Sequence, residues 1–179
     1  MAFTAWNGFA PPLVGSWTGP GSPDVRIEVW YPPEFETSAE EALEATRDAL
    51  SWFSRTLGPY PYPRVTVLVP PFNAAEAGGM EYETFFTTIG SNQFPMDAHG
   101  VTRFVTVHEF GHGYFMGILA SNEFEEPFLD EGLNELWDAR MLAGESIRLR
   151  LPAAARWLGL NLPGINFWDL EREIGRAHV

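Results

Sequence analysis

The chain has 179 residues, no cysteine and a formal net charge of −13. Without cysteine it has neither a disulfide framework nor a thiolate metal site, and the acidic balance argues against nucleic acids and anionic membranes, whose phosphates it would repel. A hydrophobic fraction of 45%, with 7 Trp and 14 Phe, is enough to bury a core and excludes a chain disordered by composition.

All basic residues are Arg, which reads as coding bias. Residues 1–7 lack the basic and apolar regions of a signal peptide, and no stretch approaches the length of a membrane span. The compartment stays open.

Residues 1–24 are rich in Gly, Pro and Trp. Phe3 to Phe9 reads as one short strand, after which Pro11, Pro12, Pro20, Gly21 and Pro23 break the chain. Val25–Tyr31 alternates apolar and polar residues, the pattern of a half-buried strand, and Pro32 and Pro33 end it. Thr37 to Glu41 resembles a capping box. The helix it opens runs to about Leu57 with Leu43, Leu50 and Leu57 on one face, and Gly58-Pro59 stops it. Arg64–Pro70 is β-branched and bounded by prolines, a further strand, and Met80–Phe86 reads as another.

A helix is expected from Asp97, whose side chain can cap it, to about Leu119. After the polar stretch Ser121–Glu126, Pro127 suits the first turn of a helix reaching about Ala143. Arg148–Leu158 reads as helical. The remainder has no closing element, so the C-terminal end reads as a truncation.

His108-Glu109-Phe110-Gly111-His112 carries the chemistry. Histidines four apart on a helix project from one face, one turn apart, and can chelate one ion. Glu109 is rotated by about 100° around the axis. It is poorly placed as a third ligand, but it can take a proton from a metal-activated water as general base.

Catalytic zinc sites keep three protein ligands and one open position. Glu131, which lies 19 residues after His112 at the start of the next helix, completes such a set. Glu135, one turn further, is expected to accept from the free ring nitrogen of His108 and fix its tautomer. One Zn²⁺ is the expected cofactor, although cobalt or manganese fits the same ligands. His99 and His178 receive no role.

These residues resemble the gluzincin metallopeptidases of the aminopeptidase N type. HExxH, eighteen residues, then Glu-Gly is one signature, and Gly78-Gly79-Met80-Glu81-Tyr82 resembles a second, Gly-x-Met-Glu-Asn. The resemblance spans about residues 25–145. It implies an α+β, thermolysin-like catalytic domain, with a mixed sheet, an exposed edge strand and helices carrying the metal ligands. Residues 1–24 would then be the tail of a preceding β domain or a linker, and residues 25–179 the catalytic domain, incomplete at its C-terminus.

The resemblance also implies a substrate cleft along Gly78, Gly79, Met80 and Glu81. The glycines admit close approach of a peptide backbone, an edge strand pairs with an extended peptide, and Glu81 offers a carboxylate to a free α-ammonium. The implied activity is hydrolysis of N-terminal peptide bonds, the partners being peptides with a free N-terminus.

The chain departs from the family pattern at Tyr82 (Asn is usual), at Gly113-Tyr114 (Gln-Trp) and at Asp130 (Asn). The family's oxyanion-stabilising Tyr has no counterpart after Tyr114, which places it beyond Val179. Losing one such donor would lower turnover by about a hundred- to a thousandfold. Two other readings stay open: a thermolysin-type endopeptidase, and a metal-binding module or fragment with impaired catalysis.

Overall fold

The structure, a computed structural model, describes residues 2–90, 97–122, 124–143, 145–150 and 165–166. Its framework is a strand–helix–strand unit. In β2 (Val25–Trp30) the alternation puts Val25, Ile27 and Val29 in the core. Helix α1 (Glu36–Thr56) then carries the chain back, so that β3 (Arg64–Leu68) lies parallel to β2, with Arg26 opposite Arg64 and Trp30 opposite Leu68. The helix follows directly from a 3₁₀ turn at Pro33–Phe35. Phe35 occupies the cap position and no side chain caps it, so Thr37 lies inside the helix and the expected capping box does not form.

The buried stripe of α1 is Ala39, Ala42, Ala45, Thr46, Ala49, Leu50 and Phe53. Leu50 belongs to the core, whereas Leu43 is only partly buried and Leu57 is exposed. Small residues predominate on this stripe because they let the helix axis approach its neighbours closely.

Phe3–Phe9 forms no strand. The first strand is β1 (Leu13–Trp17), inside the segment expected to be a tail or linker, and it pairs antiparallel with β2 along its full length. Pro11 and Pro12 precede the ladder, so their missing N–H groups interrupt nothing. Trp17 Nε1 donates to Ser51 Oγ at 2.8 Å and ties this strand to α1.

Met80–Phe86 is a hairpin. β4 (Met80–Tyr82) turns at Glu83-Thr84 and returns antiparallel as β5 (Phe85–Thr87), with Glu81 opposite Phe86. β5 lies parallel to β3, which gives one mixed five-stranded sheet in the order β1-β2-β3-β5-β4, with β4 at its edge. The protein is thus α+β.

Asp97–His99 forms strand β6 instead of capping a helix. Helix α2 (Val101–His112) starts after Gly100, whose φ of +90° suits glycine, and passes into a wider π-type segment at Gly113–Ile118. A second π-type segment, Phe128–Gly132, follows Pro127 and leads into α3 (Leu133–Met141). β6 pairs antiparallel with β7 (Ser146–Arg150), which in turn pairs with β8 (Ile165–Asn166). The expected helix at Arg148–Leu158 therefore begins as strand, and its residues 151–158 lie outside the described residues.

Aromatic rings lock α2 against α1. Phe53 stacks on Tyr114 with ring centres 5.4 Å apart, and meets Phe110 edge-on at 5.8 Å. On the other side α2 meets α3 at Gly111. A Cβ there would run into Asn134 Oδ1 and come within 3.2 Å of Phe53 Cζ. Asn134 has no room to yield, because it is fully buried and its Nδ2 donates to the His108 carbonyl at 2.7 Å. Gly111→Ala is therefore expected to lower stability by about 1–3 kcal/mol through overpacking, measured by urea unfolding.

Candidate metal centre

Three ligand atoms converge where α2 meets the Phe128–Gly132 turn. His108 and His112, one turn apart on α2, face each other with their Nε2 atoms 3.3 Å apart. Glu131 Oε2 lies 3.4 Å from His108 Nε2 and 3.6 Å from His112 Nε2. Tetrahedral ligands at about 2.05 Å from an ion stand about 3.3–3.4 Å apart, so the triangle has the size that a small ion needs. His112 is fully buried, while Glu131 keeps about half its side chain in solvent, which leaves one side of the triangle approachable.

A buried carboxylate orients each ring. His108 Nδ1 donates to Asp138 Oδ2 at 2.8 Å, and His112 Nδ1 donates to Asp130 Oδ1 at 2.6 Å. Both aspartates are fully buried. With Nδ1 so engaged, each neutral ring directs its Nε2 lone pair into the triangle.

Glu135 does not take the expected place beside His108, since Asp138 holds that ring nitrogen and Glu135 is exposed. Asp138 stands seven residues after Glu131. A separation of seven returns to the same helical face within about 20°, closer than the roughly 40° of a separation of four, and that was the signal available in the sequence. Asp130, one residue before Glu131 in the same π-type turn, reaches His112. Sequence spacing held no cue to it.

Glu109 points towards the edge strand. It is 6% exposed, and its Oε2 has no hydrogen-bond partner. Burial pushes its carboxyl up to about 8; the neighbouring His108 opposes this, while Glu81, Glu131 and Asp130 reinforce it. For His108, burial disfavours the charged ring, but hydrogen bonds to Asp138 and Glu131 outweigh it and hold the ring up at about 10. The hydrogen bond from His108 draws the Glu131 carboxyl below its ordinary value. Burial raises Asp138, opposed by its bond to His108.

The Gly78–Glu81 segment runs past this centre. Gly79 has φ +72°, and a Cβ on it would stand 3.4 Å from Glu109 Oε1, so glycine satisfies the turn and keeps the space beside Glu109 open. A Cβ on Gly78 would crowd Ile89 and lie 3.0 Å from the Thr88 carbonyl.

Glu81 is half-buried on β4, and its carboxylate lies within 4.8 Å of ligand atoms of His112 and Asp130. Met80 and Tyr82 alternate with it and are exposed, Tyr82 stacking on Phe85 with centres 5.6 Å apart. A cleft of about 710 Å³ runs along this edge, lined by Met80 to Phe85, Met116 and Gly117. It reaches Glu81 but not the histidines. The side chain of His99 and all of His178 lie outside what the structure describes.

No family model matches the chain, and a search of curated proteins finds no match. Among solved structures, the chain is similar to Legionella pneumophila aminopeptidase A, determined in complex with aspartic acid. The TM-score is 0.55 and the identity 20%, over 74% of this chain and 16% of that one. At that identity the likeness concerns the fold. Among the described residues, no helix is long and apolar enough to cross a membrane.

Two outcomes are expected. Asp138→Ala should weaken zinc binding about ten- to a hundredfold, while Glu135→Ala leaves it unchanged, as read by chelator competition.

The second concerns pH. In the folded, metal-free chain His108 keeps its proton up to about 10, against an ordinary value of 6.5, and Glu109 keeps its proton up to about 8, against 4.5. The folded state therefore binds more protons than the unfolded chain across these windows, and its stability falls as pH rises. The melting temperature of chelator-treated protein should drop from pH 6.5 to pH 9, and bound zinc should flatten that slope.

Proposed function

We propose that this chain is a zinc-dependent peptidase domain of thermolysin-like architecture that hydrolyses N-terminal peptide bonds. The observation that carries the reading is the triangle of His108, His112 and Glu131, with edges of 3.3 to 3.6 Å and the buried Glu109 beside it. The chemistry supplied by a bound zinc ion is Lewis-acid polarisation of a carbonyl and acidification of a water molecule.

The chain's own residues do the rest. Glu109, with one oxygen free and its carboxyl held near 8, is suited to take a proton from the attacking water and return it to the leaving amine. Gly79 keeps the space beside it clear. β4 is the last strand of its sheet among the described residues, and such an edge can pair with an extended peptide. Glu81 offers a carboxylate to the α-ammonium, which sets the chain end one residue from the bond to be cut.

The amount of carboxylate around the centre also favours a substrate with a free amine. Glu81, Asp130 and Glu131 all raise the Glu109 carboxyl, and His108 is the cationic group that opposes them. An incoming ammonium lowers that repulsion, whereas an internal peptide segment brings no such charge. A thermolysin-type endopeptidase is the reading to exclude, and acetylation of the substrate's N-terminus separates the two.

The purified chain is expected to hold about one zinc, measured by elemental analysis, and His108→Ala to lose it. Glu109→Gln should retain the metal and lose turnover of an aminoacyl reporter by at least about a hundredfold. A folded wild-type chain that takes up no zinc would overturn the reading.

A further inference from the structure

The cleft along the edge strand continues past Glu81 to the turn at Glu83-Thr84. Its volume of about 710 Å³ far exceeds that of an ammonium group, so the part beyond Glu81 is room for a side chain. The walls are apolar along Met80, Tyr82, Phe85 and Met116, with the Tyr82 and Phe85 rings stacked. Glu83 also lines this part, and among the described residues no Arg or His does. Arg64 lines a separate cavity, with Trp6, Phe9 and Trp30.

Contacts fix Glu83 in place. Tyr62 donates from its hydroxyl to Glu83 Oε1 at 2.6 Å, and a Cβ on Gly117 would stand 3.6 Å from Glu83 Cγ. Burial, together with the bond to Glu83, pushes the Tyr62 hydroxyl up to about 12, so it remains a donor throughout the neutral range. Pro61 and Pro63, each with a fixed φ, flank Tyr62 and restrain its backbone.

Glu81 and Glu83 face successive parts of one helical segment. Glu81 approaches His112, whereas Glu83 packs at Gly113 and Gly117, where a Cβ on Gly113 would stand 3.8 Å from its carbonyl. Two residues along an extended strand span at most about 7 Å. A basic side chain has three or four methylenes between its backbone and its charge, and such stems lie readily along apolar surface.

We propose that Glu83 is a specificity-determining residue, which selects substrates with N-terminal Arg or Lys by pairing with the cationic head while Glu81 holds the α-ammonium. This rests on the peptidase reading above and adds the substrate class. The stem runs along Met80 and Met116. A guanidinium head can also stack on an aromatic face such as the Tyr82–Phe85 pair offers, which favours Arg. An acidic side chain meets like charge, and an apolar one gains only the walls.

The test is calorimetric titration of the zinc-loaded Glu109→Gln chain, in which peptides survive the measurement. The ligands are Arg-Ala, citrulline-Ala and Nα-acetyl-Arg-Ala; citrulline keeps the shape of arginine without its charge. Arg-Ala is expected to bind about five- to tenfold tighter than citrulline-Ala, between what an exposed ion pair and a charge-assisted hydrogen bond supply. Adding Glu83→Gln, which keeps an acceptor for Tyr62, should collapse that ratio to about one, with retained zinc showing that the fold is intact.

A ratio within about twofold of one in the presence of Glu83, or a ratio that survives Glu83→Gln, overturns the inference and leaves the peptidase reading standing. The acetylated peptide tests that reading separately. If it binds as tightly as Arg-Ala, no α-ammonium is held, and both the N-terminal reading and the placement of Arg beside Glu83 fall. A zinc-loaded chain that binds none of the three peptides overturns both as well.

Discussion

Three lone-pair donors are held within 3.6 Å of one another at the junction of α2 and the Phe128–Gly132 turn. Neutral imidazoles whose Nδ1–H groups are committed to Asp138 and Asp130 direct their Nε2 lone pairs at each other and at the Glu131 carboxylate. Such an arrangement repels itself unless a cation sits inside it. In the metal-free chain burial disfavours a charged His108, but hydrogen bonds to Asp138 and Glu131 outweigh it and hold the ring charged well above its ordinary range. A proton satisfies the donors in pairs, whereas a metal ion satisfies all three at once. The centre is thus built around a positive charge, and the same charge makes the surrounding carboxylates tolerable.

Holding such donors together takes a stiff scaffold. The motif helix is gripped on one side by stacked aromatic rings from α1, and on the other by Asn134, which reaches across from α3 to the His108 carbonyl. Gly111 permits that contact, having no side chain to keep the two helices apart. Position 111 therefore sets the spacing between the helix that carries both histidines and the segment that carries Glu131. In the π-type turn at Phe128–Gly132 two successive residues meet opposite ends of the same imidazole, Asp130 at Nδ1 and Glu131 on the Nε2 side.

The sheet brings its edge strand beside this centre. β4 is the last strand of five, and its alternation turns Glu81 inward while Met80 and Tyr82 face out along the cleft. The tight turn at Glu83-Thr84 doubles the segment back, so β5 occupies the interior position and β4 is the last strand of the sheet among the described residues. Tyr62 anchors that turn by donating to Glu83 Oε1 at 2.6 Å. Close backbone approach at Gly79 then brings the start of the strand beside Glu109.

Much of this was readable from the residues alone. The alternation of Val25–Trp30, the β-branched run at residues 64–68 and the stop at Gly58-Pro59 are local signals, and the elements lie where those signals put them. The spacing of His108, Glu109 and His112 determines which of them share a helix face, because helical geometry is local. What depended on tertiary structure was everything decided between segments. Leu13–Trp17 is a strand because β2 offers it an edge, although it carries a glycine and prolines flank it on both sides. Met80–Thr87 folds back on itself, so that β5 pairs with both β3 and β4 while β4 pairs with β5. Asp138, and not Glu135, is the partner of His108, and Asp130 is the partner of His112, because the packing of α3 and the turn before it against α2 decides which side chains face the rings. The chain's local patterns determined the elements and the reactive residue types; long-range packing, to which a local pattern is blind, decided which carboxylate meets which ring.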